Sequence, residues 1–175
     1  YSIHAESKQW GAKPYPAGGA NERLGIEGLK FSDGPRGVIV GHSTCFPCSM
    51  ARGATFDRDL EWRVGEAMAL EARAQGVNLL GQVCVNLLRH PGWGRAQETY
   101  GEDSYHLGEM GSALSQGTQH HNVISTVKHF ALNSIENTRF NLDVRTDERT
   151  LREIYLPHFR KVIESGCLSV MSSYN

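Results

Sequence analysis

Lys128 and His129 stand side by side at the end of the β-branched run VISTVKHF, where an apolar strand should be closing. The pattern recurs along the chain. Asp33 follows LKF in SDGPRG, Arg95 lies in HPGWGRAQETYGED after NLLGQVCVNLL, Arg139 ends ENTR, and Tyr174 and Asn175 end CLSVMSSYN. One carboxylate, several cationic donors and an aromatic hydroxyl suit a ligand rich in hydroxyl groups. A carboxylate accepts from two neighbouring hydroxyls, while Arg, Lys and His donate to others. Trp93 and Tyr100 could supply an apolar platform for a sugar ring. Singly each signal is weak, because Arg95 or Arg139 could be an ordinary surface ion-pair residue and Lys128 could snorkel outward. Their convergence on four strand ends is what points to a site.

Four apolar runs must position these residues: Leu29 to Phe31, Asn78 to Leu88, Val123 to Phe130 and Cys167 to Asn175. Amphipathic stretches separate them. In TFDRDLEWRVGEAMALEARAQG, Leu60, Val64, Ala67, Met68 and Ala74 recur at helical spacing, with Thr55 or Asp57 as cap and Gly76 as stop. A second helix is expected in YHLGEMGSALSQGTQ despite its glycines. A third carries the stripe Leu151, Ile154, Tyr155, Phe159, Val162 and Ile163, opened by Thr146 to Glu148, kinked at Pro157 and closed at Gly166. Strands apolar on both faces and alternating with helices predict a parallel α/β sheet whose site lies at the carboxyl ends. Four such strands fall short of the roughly eight that close a barrel. The expected fold is therefore the first half of a (β/α)8 TIM-like barrel, truncated after the fourth strand, over 25–175. Residues 1–24 read as an irregular segment. The chain begins at Tyr1 rather than methionine, as expected of one that was cut or processed, and no secretory signal is read at its start.

Composition narrows the function. The 18 basic and 19 acidic residues nearly cancel and form no stripe or tail, so neither nucleic acid nor a charged membrane surface is an expected partner. No apolar run approaches the roughly 20 residues that span a bilayer. Cys45 and Cys48 have CxxC spacing without a second ligand pair, and read as structural thiols ahead of a zinc or redox site. The histidines are scattered apart from His120-His121, so neither metal nor cofactor is expected. Localisation is not legible.

The series SDGPRGV, CFP, ATFDRDL, EARAQGVNLLG, RHPGWGRAQETYGED, STVKHFALNSIENTR, ERTLREIYL and VMSSYN resembles, in order, the N-terminal barrel domain of glycoside hydrolase family 3, the β-glucosidase and β-xylosidase family. The resemblance implies that Asp33, Arg95, Lys128, His129, Arg139, Met171 and Tyr174 hold the sugar beside the scissile bond, with Tyr174 next to the nucleophile. It implies a retaining, exo-acting β-glycosidase that removes terminal β-D-glucosyl or β-D-xylosyl residues through a covalent intermediate. Such chemistry uses two carboxyl groups about 5 to 5.5 Å apart. Spacing alone would nominate Asp33 and Glu136. The resemblance instead places the nucleophilic aspartate and the acid/base glutamate beyond residue 175, leaving no catalytic residue in this chain, which alone is expected to be inactive. Glu98, Glu102, Asp103 and Glu136 then read as structural. The implied partners are a β-glucoside or β-xyloside and the rest of the barrel with a C-terminal domain, in the same chain or another. Ile39 stands where many relatives have a sugar-binding arginine, and KHFALN lacks the form of the amino-sugar branch. Alternatives are a non-catalytic carbohydrate-binding or scaffold fragment and, further off, a lyase forming a Schiff base on Lys128.

Overall fold

The computed structural model describes residues 11–175. Five strands form one sheet in chain order: β1 (Tyr15–Gly18), β2 (Leu29–Asp33), β3 (Leu79–Cys84), β4 (Ile124–Phe130) and β5 (Ser169–Ser172). β2 to β5 are parallel, and β1 joins β2 antiparallel. The sheet curls into a half-barrel with helices outside. Where the sequence predicts an irregular segment over 1–24, Tyr15–Gly18 thus adds a strand to the first edge. Residues 1–10 of that segment lie outside the described residues.

The connections explain the order. After β2 the chain makes a short helix, α1 (Ser49–Gly53), and then α2 (Arg58–Ala74). The Asp57 side chain caps α2 by accepting from Leu60 N at 2.8 Å. Gly76, at φ +75°, supplies the left-handed residue that ends it. α3 (Ser104–Gln119) links β3 to β4, and Asp103 caps it through His106 N at 2.7 Å. Its glycines, which weaken a helix in isolation, mark its contacts. A Cβ on Gly117 would lie 2.0 Å from the Trp62 carbonyl oxygen, and one on Gly65 of α2 would lie 2.4 Å from that of Leu114. Only glycine lets these two backbones approach so closely.

The third predicted helix is two pieces. A π-helical segment, Leu151–Tyr155, follows one α-turn at Glu148–Thr150, and α4 (Pro157–Glu164) begins anew. Pro157 occupies the first turn of α4, where its missing N–H costs nothing. The expected kink is therefore a restart. The core lies between sheet and helices, with Met68, Leu80, Val83, Leu107, Met110, Leu114, Val127, Phe159 and Val162 fully or almost fully buried. Among the described residues no helix is long and apolar enough to cross a membrane.

Candidate sugar-binding site

The carboxyl ends of the four parallel strands open onto one cleft of about 560 Å³, lined by Asp33, Arg95, His129, Arg139, Met171, Ser172 and Tyr174. Six of the seven residues singled out in the sequence are there. The seventh, Lys128, lies directly behind: it is completely buried, and its ammonium is bonded to Asp33 Oδ1. It does not snorkel outward.

Asp33 is placed by the turn that follows β2. Its Oδ1 also accepts from Gly34 N at 2.9 Å. Gly34 has φ +148°, and a Cβ there would fall 1.7 Å from the Gly37 carbonyl oxygen, so the turn requires glycine. Among the described residues no donor reaches Asp33 Oδ2. That oxygen is left to accept from a ligand.

Lys128 and His129 are neighbours on β4, yet both serve the cleft. The pairing of β4 with β5 shifts register between Lys128 and Phe130, which breaks the strict alternation of faces. The Lys128–His129 and Phe130–Ala131 peptide bonds are cis. His129 is gripped by buried Asn86, whose Oδ1 lies 2.8 Å from the His129 backbone N and 2.9 Å from its Nδ1. Asn86 Nδ2 donates to the His129 carbonyl at 2.8 Å, which fixes the amide orientation. Nδ1 must therefore carry the proton, leaving Nε2 as an acceptor. Burial first, then the charges of Lys128, Arg95 and Arg139, push the imidazole down to about 2, so it is neutral. The expectation that His129 donates into the cleft is not met in this tautomer, because its N–H is spent on Asn86 and Nε2 is left as a free acceptor.

The two arginines are ordered by carboxylates. Arg95 makes a two-pronged pair with Glu98, Nε–Oε1 at 2.8 Å and Nη2–Oε2 at 2.6 Å. Glu136 takes Arg139 Nη1 on Oε2 at 2.8 Å and Asn133 Nδ2 on Oε1 at 3.1 Å, with Arg95 Nη1 at 3.9 Å. Both oxygens of Glu136 are thus engaged in ordering Asn133 and Arg139. Three cations face three carboxylates, so the cleft holds charge without a large net excess. The Arg139 guanidinium lies 4.9 Å from the centroid of the Tyr174 ring, and Phe140 meets that ring edge-on at 4.6 Å. Tyr174 is nonetheless 62% exposed, with its hydroxyl available.

Two expectations fail. Tyr100 is no platform, because it is buried and its hydroxyl donates to Glu61 Oε1 at 2.6 Å, inside a network in which Arg52 also binds Glu61. Trp93 is likewise buried. Both follow polar loops, and nothing in the sequence distinguishes an aromatic ring that anchors a loop from one that faces the cleft. Asn86 and Ser172 were missed; each sits within a quoted motif but has a type too common to single out. Cys45 and Cys48 are free thiols. Arg36 and Ile39 share a smaller depression beside the cleft with Gln97 and Glu98, so Arg36 does not enter the cleft itself.

Comparison with known proteins identifies the family. Residues 20–175 match the model of the glycosyl hydrolase family 3 N-terminal domain. A putative β-glucosidase from Schizosaccharomyces pombe is 40% identical over 87% of this chain and 19% of its own length. A β-glucosidase from Rhizobium radiobacter is 41% identical over 89% of this chain and 20% of its own. β-Glucosidase 3B from Thermotoga neapolitana, solved with α-D-glucose, superposes with a TM-score of 0.90 at 35% identity, over 94% of this chain and 25% of that one. The Kluyveromyces marxianus β-glucosidase with glucose gives 0.88 at 35% identity, over 95% and 21%. The chain thus spans about a fifth of the length of the curated relatives it matches. From motif order, half-barrel and cleft alike, the chain belongs to glycosyl hydrolase family 3, as part of its N-terminal domain.

Proposed function

We propose that this chain is the sugar-holding half of the active-site barrel of a retaining, exo-acting β-glycosidase acting on terminal β-D-glucosyl, or β-D-xylosyl, residues. The observation that carries the reading is the convergence of Asp33, Lys128, His129, Arg95 and Arg139 on one cleft from three strand ends. Asp33 Oδ2 and His129 Nε2 accept from sugar hydroxyls, Arg95 and Arg139 donate to them, and buried Lys128 orients Asp33 from behind. Met171 and Tyr174 close the wall on the β5 side. A pattern of acceptors and donors at fixed spacing favours one pyranose orientation over others.

The two carboxyl groups of the reaction come from outside residues 1–175. Asp33 is held by Lys128 and Gly34, Glu98 by Arg95, and Glu136 by Arg139 and Asn133. A nucleophile arriving near Tyr174 would form the glycosyl-enzyme, and a separate glutamate would protonate the leaving oxygen and then activate water. Residues 25–175 accordingly form one part of a larger unit, completed by further barrel strands and a C-terminal domain in the same or another chain. Full burial and the ion pair to Asp33 disfavour Lys128 as a Schiff-base nucleophile, which needs a free, deprotonated amine.

The test is hydrolysis of p-nitrophenyl β-D-glucopyranoside and the corresponding xyloside by the full-length protein. Release of nitrophenol that falls at least 100-fold in Asp33→Ala supports the reading. Turnover unaffected by that substitution contradicts the site.

A further inference from the structure

The far end of the α2–α3 pair gathers three side chains able to ligate a metal ion. The glycine contacts at Gly65 and Gly117 bring the two helices together there. They place Glu66 of α2 beside the end of α3, where His120 caps the helix and His121 follows. His121 Nε2 lies 3.1 Å from Glu66 Oε1, and the two histidine rings meet edge-on at 5.1 Å between centroids. One ligating atom from each of the three falls within 4.8 Å of the others.

The turn that carries the histidines is tied down on several sides. Arg73 Nη1 donates to the His121 carbonyl at 3.0 Å. The Gln119 side chain donates to the Gly166 carbonyl at 2.8 Å and accepts from Leu168 N at 3.0 Å. The His120 ring packs against Trp62 at 5.4 Å. Ligands on a braced backbone lose less freedom on binding an ion than ligands on a loose loop.

We propose that Glu66, His120 and His121 bind a divalent transition metal of the zinc type. Two imidazole nitrogens and one carboxylate oxygen are a zinc donor set, with water completing the tetrahedron. Bonds of about 2.0 to 2.1 Å put ligand atoms about 3.3 Å apart, a spacing Glu66 and His121 already approach. Rotation of the exposed His120 ring closes the rest. The carbonyl end of α3 adds favourable negative potential. α3 leads into the start of β4, so this site is on the opposite end of the half-barrel from the sugar cleft. Its role is to staple α2 to the end of α3, apart from the chemistry.

Calorimetric titration of Zn²⁺ into the full-length protein tests this, in a Cys45→Ser/Cys48→Ser background that removes the paired thiols. The expected result is one bound equivalent more than in the same protein carrying His120→Ala and His121→Ala, with Zn²⁺ raising the Tm of the parent only. Glu66→Gln, which keeps the side-chain shape, is expected to lose the same equivalent and guards against misfolding of the double variant. Equal stoichiometry in parent and variants would overturn the proposal.

Discussion

Asn86 holds His129 at both ends: its Oδ1 accepts from the His129 backbone N–H and from Nδ1, at 2.8 and 2.9 Å. Its Nδ2 donates to the carbonyls of His129 and Ala131, at 2.8 and 3.2 Å, tying the end of β3 to the end of β4. This one amide sets which ring nitrogen faces the ligand. Removing it leaves buried donors and acceptors unpaired, at about 1 to 3 kcal/mol, and frees the tautomer. In the full-length protein, Asn86→Ala should lower kcat/KM for an aryl β-glucoside by about tenfold or more. A value equal to wild type would remove His129 from the site.

Because His129 is held near 2 by burial and by Lys128, Arg95 and Arg139, it stays neutral through the working pH range. It should contribute no acid limb to the pH dependence of kcat/KM. His129→Gln is expected to lower kcat/KM at every pH and leave the apparent pKa values in place. Loss of the acid limb in that variant would show that His129 titrates after all.

Lys128 is fully buried against Asp33, whose side chain is one-third exposed. Lys128→Met removes the charge but retains most of the volume. It should destabilise the protein by about 2 to 4 kcal/mol, since it leaves a half-buried carboxylate with one amide partner. Activity should also fall. A urea midpoint matching wild type would mean the pair holds nothing together.

His158 in α4 is buried, and among the described residues neither ring nitrogen has a hydrogen-bond partner. Desolvation lowers it from the ordinary 6.5 to about 4. Between those values the unfolded chain binds the extra proton, so stability rises with pH. His158 therefore supports stability fully above about pH 6.5 and loses roughly 3 kcal/mol as pH falls toward 4. His158→Leu should flatten the fall in urea midpoint over that window. An identical pH slope in both proteins would contradict this.

What the sequence made legible, and what it hid, divides on range. The four parallel strands, the cap at Asp57 and the strand-end positions are readable, because periodicity, capping and motif order are local signals. The strand at Tyr15–Gly18 was not, since its partner β2 is what makes it a strand. Tyr100 was misplaced because its fate depends on Glu61 and Arg52, far away in sequence. The direction of the hydrogen bond at His129 depends on Asn86, a residue whose type is ordinary and whose position is not. Pro157 announced a break, but only the π-helical turn before it turned a kink into a new start.

The most direct measurement is a crystal structure of the full-length protein soaked with glucose. One sugar is expected in the cleft, with Asp33 Oδ2 and His129 Nε2 accepting from its hydroxyls and Arg95 or Arg139 donating to it. Glucose bound away from Asp33, or a cleft that stays empty at saturating glucose, would contradict it.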